Sequence, residues 1–258
     1  KKFKNDPQGL KKAEKLLEYE TGRQFWKSNE ICMRHAEGIR SNTPVLAKLW
    51  YFWTNHFTIS DTQSLASFST GAYQREFIRA NMDKKFETMA IEATIAWPMM
   101  MHLDNKDNIG PKSISGKSEW RRKERKPATI NENHARELLE LHTVSPKAAY
   151  TQDDIIELAK IMTGWRPKWT KRKDHGHNVS FDTERHEPGK KTVFGKVYKR
   201  GKKSLEIAIK DLVNHPSCRE FIATKLCRYL ITDNPTKDMI TPIIKAWEKS
   251  DGYLPEVH

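Results

Sequence analysis

Apolar residues recur at helical spacing through most of the chain. Asp6-Pro7 reads as a helix start with proline in the first turn. Helical pattern follows to about Glu20, and again from about Arg23 to Ile39. Thr43-Pro44 opens a further helix whose apolar positions include Val45, Leu46, Leu49, Trp50, Phe52, Trp53 and Phe57. His56 falls on that same broad apolar face. Helices are expected over 69–82 and 84–96. Pro98 interrupts, and 99–103 continue. Thr129-Ile130-Asn131-Glu132 has capping-box spacing and predicts a helix to about His142. Thr151 begins the next, with Asp153 and Asp154 where the helix dipole favours acids, and Gly164 stops it. Helix returns over 205–213, after His215-Pro216, and from about Met239 to Lys249. The only strand-like text is Thr192 to Tyr198, a short hairpin.

The pattern predicts one all-α domain over residues 1–258, an irregular multi-helix fold with a small β-hairpin or irregular insertion around 166–203. No apolar run approaches the roughly 20 residues a membrane-spanning helix requires. Cys32, Cys218 and Cys227 are too few and too widely spaced for a disulfide framework or an all-cysteine zinc site.

Charge adds a second feature. The formal net charge is +13. Residues 106–126 hold eight basic and three acidic residues, and 166–203 hold thirteen basic and four acidic, so these two segments carry the whole excess. Both read as basic loops. They point to a polyanion partner, with Trp120, Trp165 and Trp169 as stacking surfaces, or to solvated loops with no partner.

The chemistry-bearing residues are few. On a regular helix over 131–142, Asn133, Glu137 and Glu140 line up at i, i+4 and i+7, with Arg136 beside them, opposite Ala135, Leu138, Leu139, Leu141 and His142. Two carboxylates one turn apart suit a divalent metal ion at Glu137 and Glu140, or acid–base work, or a solvated Arg–Glu face. His56 reads as a core histidine or a site residue. His175 and His177 form a candidate chelating pair in a lysine-rich loop. No phosphate-cradling glycine loop, dinucleotide fingerprint, zinc-protease helix or nucleophile elbow is present.

Asn131-Glu132-Asn133-His134-Ala135-Arg136-Glu137-Leu138-Leu139-Glu140-Leu141 closely resembles the signature of a bacterial family catalogued as domain of unknown function 1800. Tyr150 to Ile155 followed by Thr163-Gly164-Trp165 resembles it too. So do the Trp53-Thr54-Asn55-His56-Phe57, Leu103-Asp104-Asn105 and His186-Glu187-Pro188-Gly189-Lys190-Lys191 stretches and the helix over 216–235. The order is kept over most of 40–235. Glu187 stands where the family usually has Asp, and His134 where an aromatic residue, often Tyr, is usual.

The resemblance implies a mainly helical, secreted or periplasmic bacterial protein, usually longer at both ends than this chain. Members are often encoded beside a family similar to alkaline phosphatases and sulfatases. It implies no reaction. It singles out His56, Glu137 and His186 as candidate catalytic residues and Asn133, Arg136 and Trp165 as candidate substrate-binding residues. Asp104, Asn105 and Asp153 are then candidates for support. Three functions stay open. One is a hydrolase with a His/Asn/Glu polar site, metal-assisted or not. The second is a non-catalytic scaffold or partner of a co-encoded phosphatase- or sulfatase-like protein. The third is a polyanion-binding module using the two basic loops.

Overall fold

Residues 7–60, 69–121, 129–168 and 179–258 are described by the computed structural model of the chain. Helix α1 (Pro7–Arg40) is continuous, where the sequence predicts two pieces. Gly22 sits in its interior with open space around it, and one exposed glycine costs only about 1 kcal/mol in a helix. Leu17, Phe25, Trp26, Met33 and Ile39 remain exposed on α1.

The core begins at α2 (Pro44–His56), entered with proline in its first turn. A helical run follows as α3 (Thr70–Tyr73), a π-turn over Gln74–Ile78 and a 3-10 turn over Arg79–Asn81. Then come α4 (Phe86–Ile95) and α5 (Trp97–His102), separated where Ala96 turns extended ahead of Pro98. Trp53 is fully buried beneath this layer. Its ring packs on Phe86 at 5.3 Å, and its indole donates to His258 Nε2 at 2.9 Å.

The first basic segment is not all loop. It holds α6 (Ile114–Arg121). The second half starts with α7 (Asn133–Glu137), which opens later than the predicted capping box. Instead, Asn131 Oδ1 accepts from the Asn133 N–H at 3.1 Å. A π-turn over Leu138–His142 continues α7. Helix α8 (Gln152–Met162) carries a true capping box, with Thr151 and Asp154 bonding reciprocally. Next come β1 (Trp165–Pro167), β2 (Val179–Phe181), β3 (Lys191–Val193) and β4 (Lys196–Tyr198). They form two antiparallel pairs, β1 with β2 and β3 with β4. The second is the expected hairpin. The first is an addition to the expectation. Helices α9 (Lys203–Asn214), α10 (Pro216–Leu230), α11 (Lys237–Ser250) and α12 (Leu254–Val257) complete the chain. The last turns close on α4 through Phe86 N–H to Gly252 C=O at 2.8 Å and Leu254 N–H to Lys84 C=O at 2.9 Å. The fold is all-α with small β additions, as the periodicity predicts. Among the described residues no helix is long and apolar enough to cross a membrane.

The two basic segments are stitched to each other. Gly110 N–H donates to Arg185 C=O and Ser115 N–H to Glu184 C=O, both at 2.9 Å, and Lys112 N–H donates to Glu187 Oε2 at 2.9 Å. A Cβ on Gly110 would stand 2.6 Å from the Glu187 backbone, so glycine permits the approach. Three cysteines, Cys32, Cys218 and Cys227, are free thiols.

Candidate functional site

His56 ends α2 inside a shell of aromatic rings, edge-on to Phe57 at 4.6 Å and to Trp53 at 5.5 Å. It is buried. Its Nε2 faces the His142 carbonyl at 3.1 Å. A carbonyl only accepts, so Nε2 carries the proton and Nδ1 offers a lone pair. Lys225 Nζ, on α10, donates into that lone pair at 2.9 Å. Burial, then the Lys225 charge, then His142 hold His56 well below the usual imidazole range. Burial also pushes the Lys225 ammonium down to about 8.

The pair lies where three elements meet: the C-terminal end of α2, the π-turn after α7, and the middle of α10. The π-turn matters. On a regular helix Leu141 would face inward, yet it is 51% exposed while His142 is buried at 4%. The wider turn rotates Leu141 outward and leaves His142 in the core beside His56. Thr143 Oγ1 donates to the Leu138 carbonyl at 2.6 Å and the Ser145 N–H to Leu139 C=O at 2.9 Å, which satisfies the end of the turn.

Lys225 lines two adjoining clefts. One, of about 400 Å³, is walled by Ser145, Lys147, Ser217, Glu220, Phe221, Thr224 and Arg228 among others. The other, of about 360 Å³, is walled by Phe52, Asn55, His56, Arg228 and Tyr229. His56 and Lys225 are thus a hydrogen-bonded pair at the wall these clefts share.

A chain of buried imidazoles runs inward from this pair. His142 Nδ1 and both ring nitrogens of His134 are buried without a hydrogen-bond partner among the described residues. Burial first, with neighbouring charges after it, holds both groups at about 3.

The other predicted residues occupy different neighbourhoods. His186 is 1% exposed. Its Nδ1 donates to the Thr163 carbonyl at 2.8 Å, and its Nε2 accepts from Gly201 N–H at 3.2 Å. The buried Lys191 ammonium donates to the Glu187 carbonyl, to Gly189 C=O at 3.1 Å and to His186 Nε2 at 3.3 Å. Trp165 packs edge-on against Phe181 at 5.6 Å, and Phe181 packs on His186 at 5.0 Å. Here the hydrogen bonds of His186 and Lys191 go to backbone, to each other and to the Thr163 hydroxyl.

Arg136 bonds Glu132 at 3.0 Å, Gln152 at 3.0 Å and Glu140 at 3.4 Å. Glu140 also accepts from the Tyr150 hydroxyl. Glu137 is half-buried, and burial followed by repulsion from Glu140 raises its carboxyl above the usual range. Asn133 is exposed. Among the described residues no three His, Cys, Asp or Glu side chains are grouped as a metal site. Glu137 and Glu140 neighbour each other electrostatically, as the sequence predicts, but His56 and His186 share no bonding partner with them or with each other.

The Leu-Asp-Asn segment is a brace. Asn105 Nδ2 donates to the Met162 and Trp165 carbonyls at 3.3 and 2.9 Å. Asn108 Nδ2 reaches Ala159 C=O at 2.9 Å, and its Oδ1 accepts from the Asn131 N–H at 3.1 Å. Asp104 adopts a left-handed φ of 56° to start it. Asp154 supports the hairpin by accepting from Phe194 N–H at 2.7 Å.

Sequence reasoning missed Lys225 and His142. The signal for Lys225 was a lysine next to the Phe221, Ile222 and Leu226 stripe of one helix. His175, His177, Trp169, Arg122 and Lys123 lie outside the described residues, as do the side chains of Trp120 and Arg121.

A family model described as "Protein of unknown function (DUF1800)" matches residues 5–258. No curated protein and no solved structure matches the chain.

Proposed function

From the premise that the chain belongs to the DUF1800 family, we propose that it is a secreted or periplasmic hydrolase whose site is the His56–Lys225 cleft. One observation carries the reading: Lys225 Nζ stands 2.9 Å from His56 Nδ1 at the shared wall of two open clefts. A lysine held near 8 is partly neutral at physiological pH, so it can take a proton from an attacking water and return it to the leaving oxygen of an ester. His56 is the positioning residue. Its fixed tautomer always presents an acceptor to Lys225. Of the expected catalytic residues, His56 belongs to this site, while His186 supports the fold. Glu137 and Glu140 remain the carboxylates proposed for a divalent cation, since magnesium requires only one or two protein carboxylates.

The test is turnover of aryl acetate, aryl phosphate and aryl sulfate esters, with and without added magnesium. Lys225→Met is expected to lower the rate by about 10²–10⁴-fold, the usual weight of one general base, with a cooperative melting transition retained. Glu137→Ala is expected to remove only a magnesium-dependent part. Turnover that Lys225→Met leaves intact would refute the assignment.

A second reading has its own support. His186, Lys191, Asn105 and Asn108 are buried, and their side chains bond mainly to backbone, which suits a rigid scaffold for a co-encoded phosphatase- or sulfatase-like partner. Absence of turnover with a stable fold would favour it. Polyanion binding through 106–126 and 166–203 draws less support. Lys106 is taken by Asp104 and Asp107, and Lys196 by Asp211.

A further inference from the structure

Lys147, Lys225 and Arg228 line the larger cleft, and Glu220 is the one acid among the described residues of its wall. Lys147 and Arg228 side chains form no ion pair or hydrogen bond among the described residues, in a chain where Arg75, Arg79, Arg136, Lys160 and Arg219 all do. Their charges are therefore not spent on the fold. Hydroxyl groups of Ser145, Ser217 and Thr224 share the wall. Ser145 holds φ 65°, ψ 163°, backbone that favours glycine, and it does so in the turn that carries Lys147 into the cleft. Its own Oγ accepts from the Lys147 N–H at 3.4 Å, which fixes the turn. Arg228 lies one residue short of a helical turn beyond Lys225 and lines both clefts.

We infer that this cleft binds a dianionic phosphate group, held by Arg228 and Lys147 with its reacting side toward Lys225. The inference rests on the Lys225 reading and names the substrate class of that site: a phosphate monoester. The charge balance selects it. Lys147 and Arg228 against Glu220 leave one net positive charge while Lys225 is the neutral base, and two once Lys225 has taken the proton from water, the state that complements a dianion. The guanidinium supplies a planar pair of donors to two phosphate oxygens, and the lysines supply point charges. The Ser145 and Ser217 hydroxyl groups donate to the remaining oxygens, while the Thr224 hydroxyl is spent on the Glu220 carbonyl at 2.7 Å. At about 400 Å³ the cleft has room for the phosphate and a small organic group attached to it.

Calorimetric titration with inorganic phosphate, sulfate and acetate at low ionic strength tests this directly. Phosphate is expected to bind, with acetate at least tenfold weaker and sulfate between them. Arg228→Gln and Lys147→Gln are each expected to weaken phosphate at least tenfold, and Lys196→Gln, remote on the hairpin, is expected to leave it unchanged. No phosphate heat at millimolar concentration, or wild-type affinity in the two cleft variants, would overturn the inference. Acetate binding as well as phosphate would assign the cleft to carboxylates and overturn it too. The titration midpoint of Lys225 keeps the two claims apart. A midpoint near 8 without phosphate binding removes this inference alone, and an ordinary lysine midpoint removes the site reading beneath it.

Discussion

Acidification from pH 7 to pH 5 is expected to unfold the protein well before its carboxylates titrate. The cause is burial of neutral imidazole. His134 and His142 are held at about 3 and His56 well below its usual value, in each case chiefly by desolvation. The unfolded chain binds protons at these histidines as pH falls through about 6.5, while native His134 and His142 do not until about 3 and native His56 stays neutral well below its usual range. Their folded values are depressed, so their contribution is complete above 6.5 and is lost on the way down. Each group costs about 1.4 kcal/mol per pH unit in the middle of that window, so the three together remove about 4 kcal/mol per unit. His186, buried and held at about 4, acts in the same direction. Native stability is typically about 5–15 kcal/mol, so a midpoint near pH 5 follows. Urea denaturation at pH 8, 7, 6 and 5 measures it, and a flat profile from 7 to 5 would count against the buried cluster. His134→Phe isolates one member. It replaces an imidazole with no hydrogen-bond partner at either nitrogen among the described residues. It is expected to raise stability at pH 7 by about 1–3 kcal/mol and to flatten the acid slope by one proton.

Lys191→Met is the second large effect. Lys191 is 2% exposed and its ammonium links the Glu187 and Gly189 carbonyls to His186. Methionine keeps most of the stem's volume and leaves those acceptors unpaired in the interior. A loss of about 3 kcal/mol is expected, a fall in Tm on the order of 10 °C for a chain of this size. Lys196→Met is the comparison. Its partner Asp211 lies at 2.6 Å, but the lysine side chain is 56% exposed, so the loss should stay below about 1 kcal/mol. Equal melting temperatures for the two variants would show that the His186–Lys191 cluster does not brace the fold.

Where periodicity and caps govern, the fold was legible. Thr151 and Asp154 set the start of α8, Pro216 that of α10, and alternation around Gly195 the β3–β4 hairpin. Three features escaped. Helix α1 runs through Gly22 because a single glycine costs less than the helix on either side gains. Strands β1 and β2 are three residues each and pair across a lysine-rich stretch, too short and too far apart to leave an alternation. The π-turn at Leu138–His142 adds a residue to one turn, which a 3.6-residue period cannot reveal. That last feature also hid the site. It turns Leu141 outward while His142 stays inward, with the His142 carbonyl against His56. His56 itself was legible as a polar group on an apolar face. Its partner was not, because Lys225 comes from a helix 169 residues further along the chain.

Lysine-selective carbon-13 NMR, with Lys225 assigned by Lys225→Arg, measures the central claim most directly. The account predicts a Lys225 titration midpoint near 8, coupled to a His56 ring that stays neutral throughout. A midpoint at the ordinary lysine value of 10.5 would mean that the amine is solvated and not held against His56, and the proposed site would be lost.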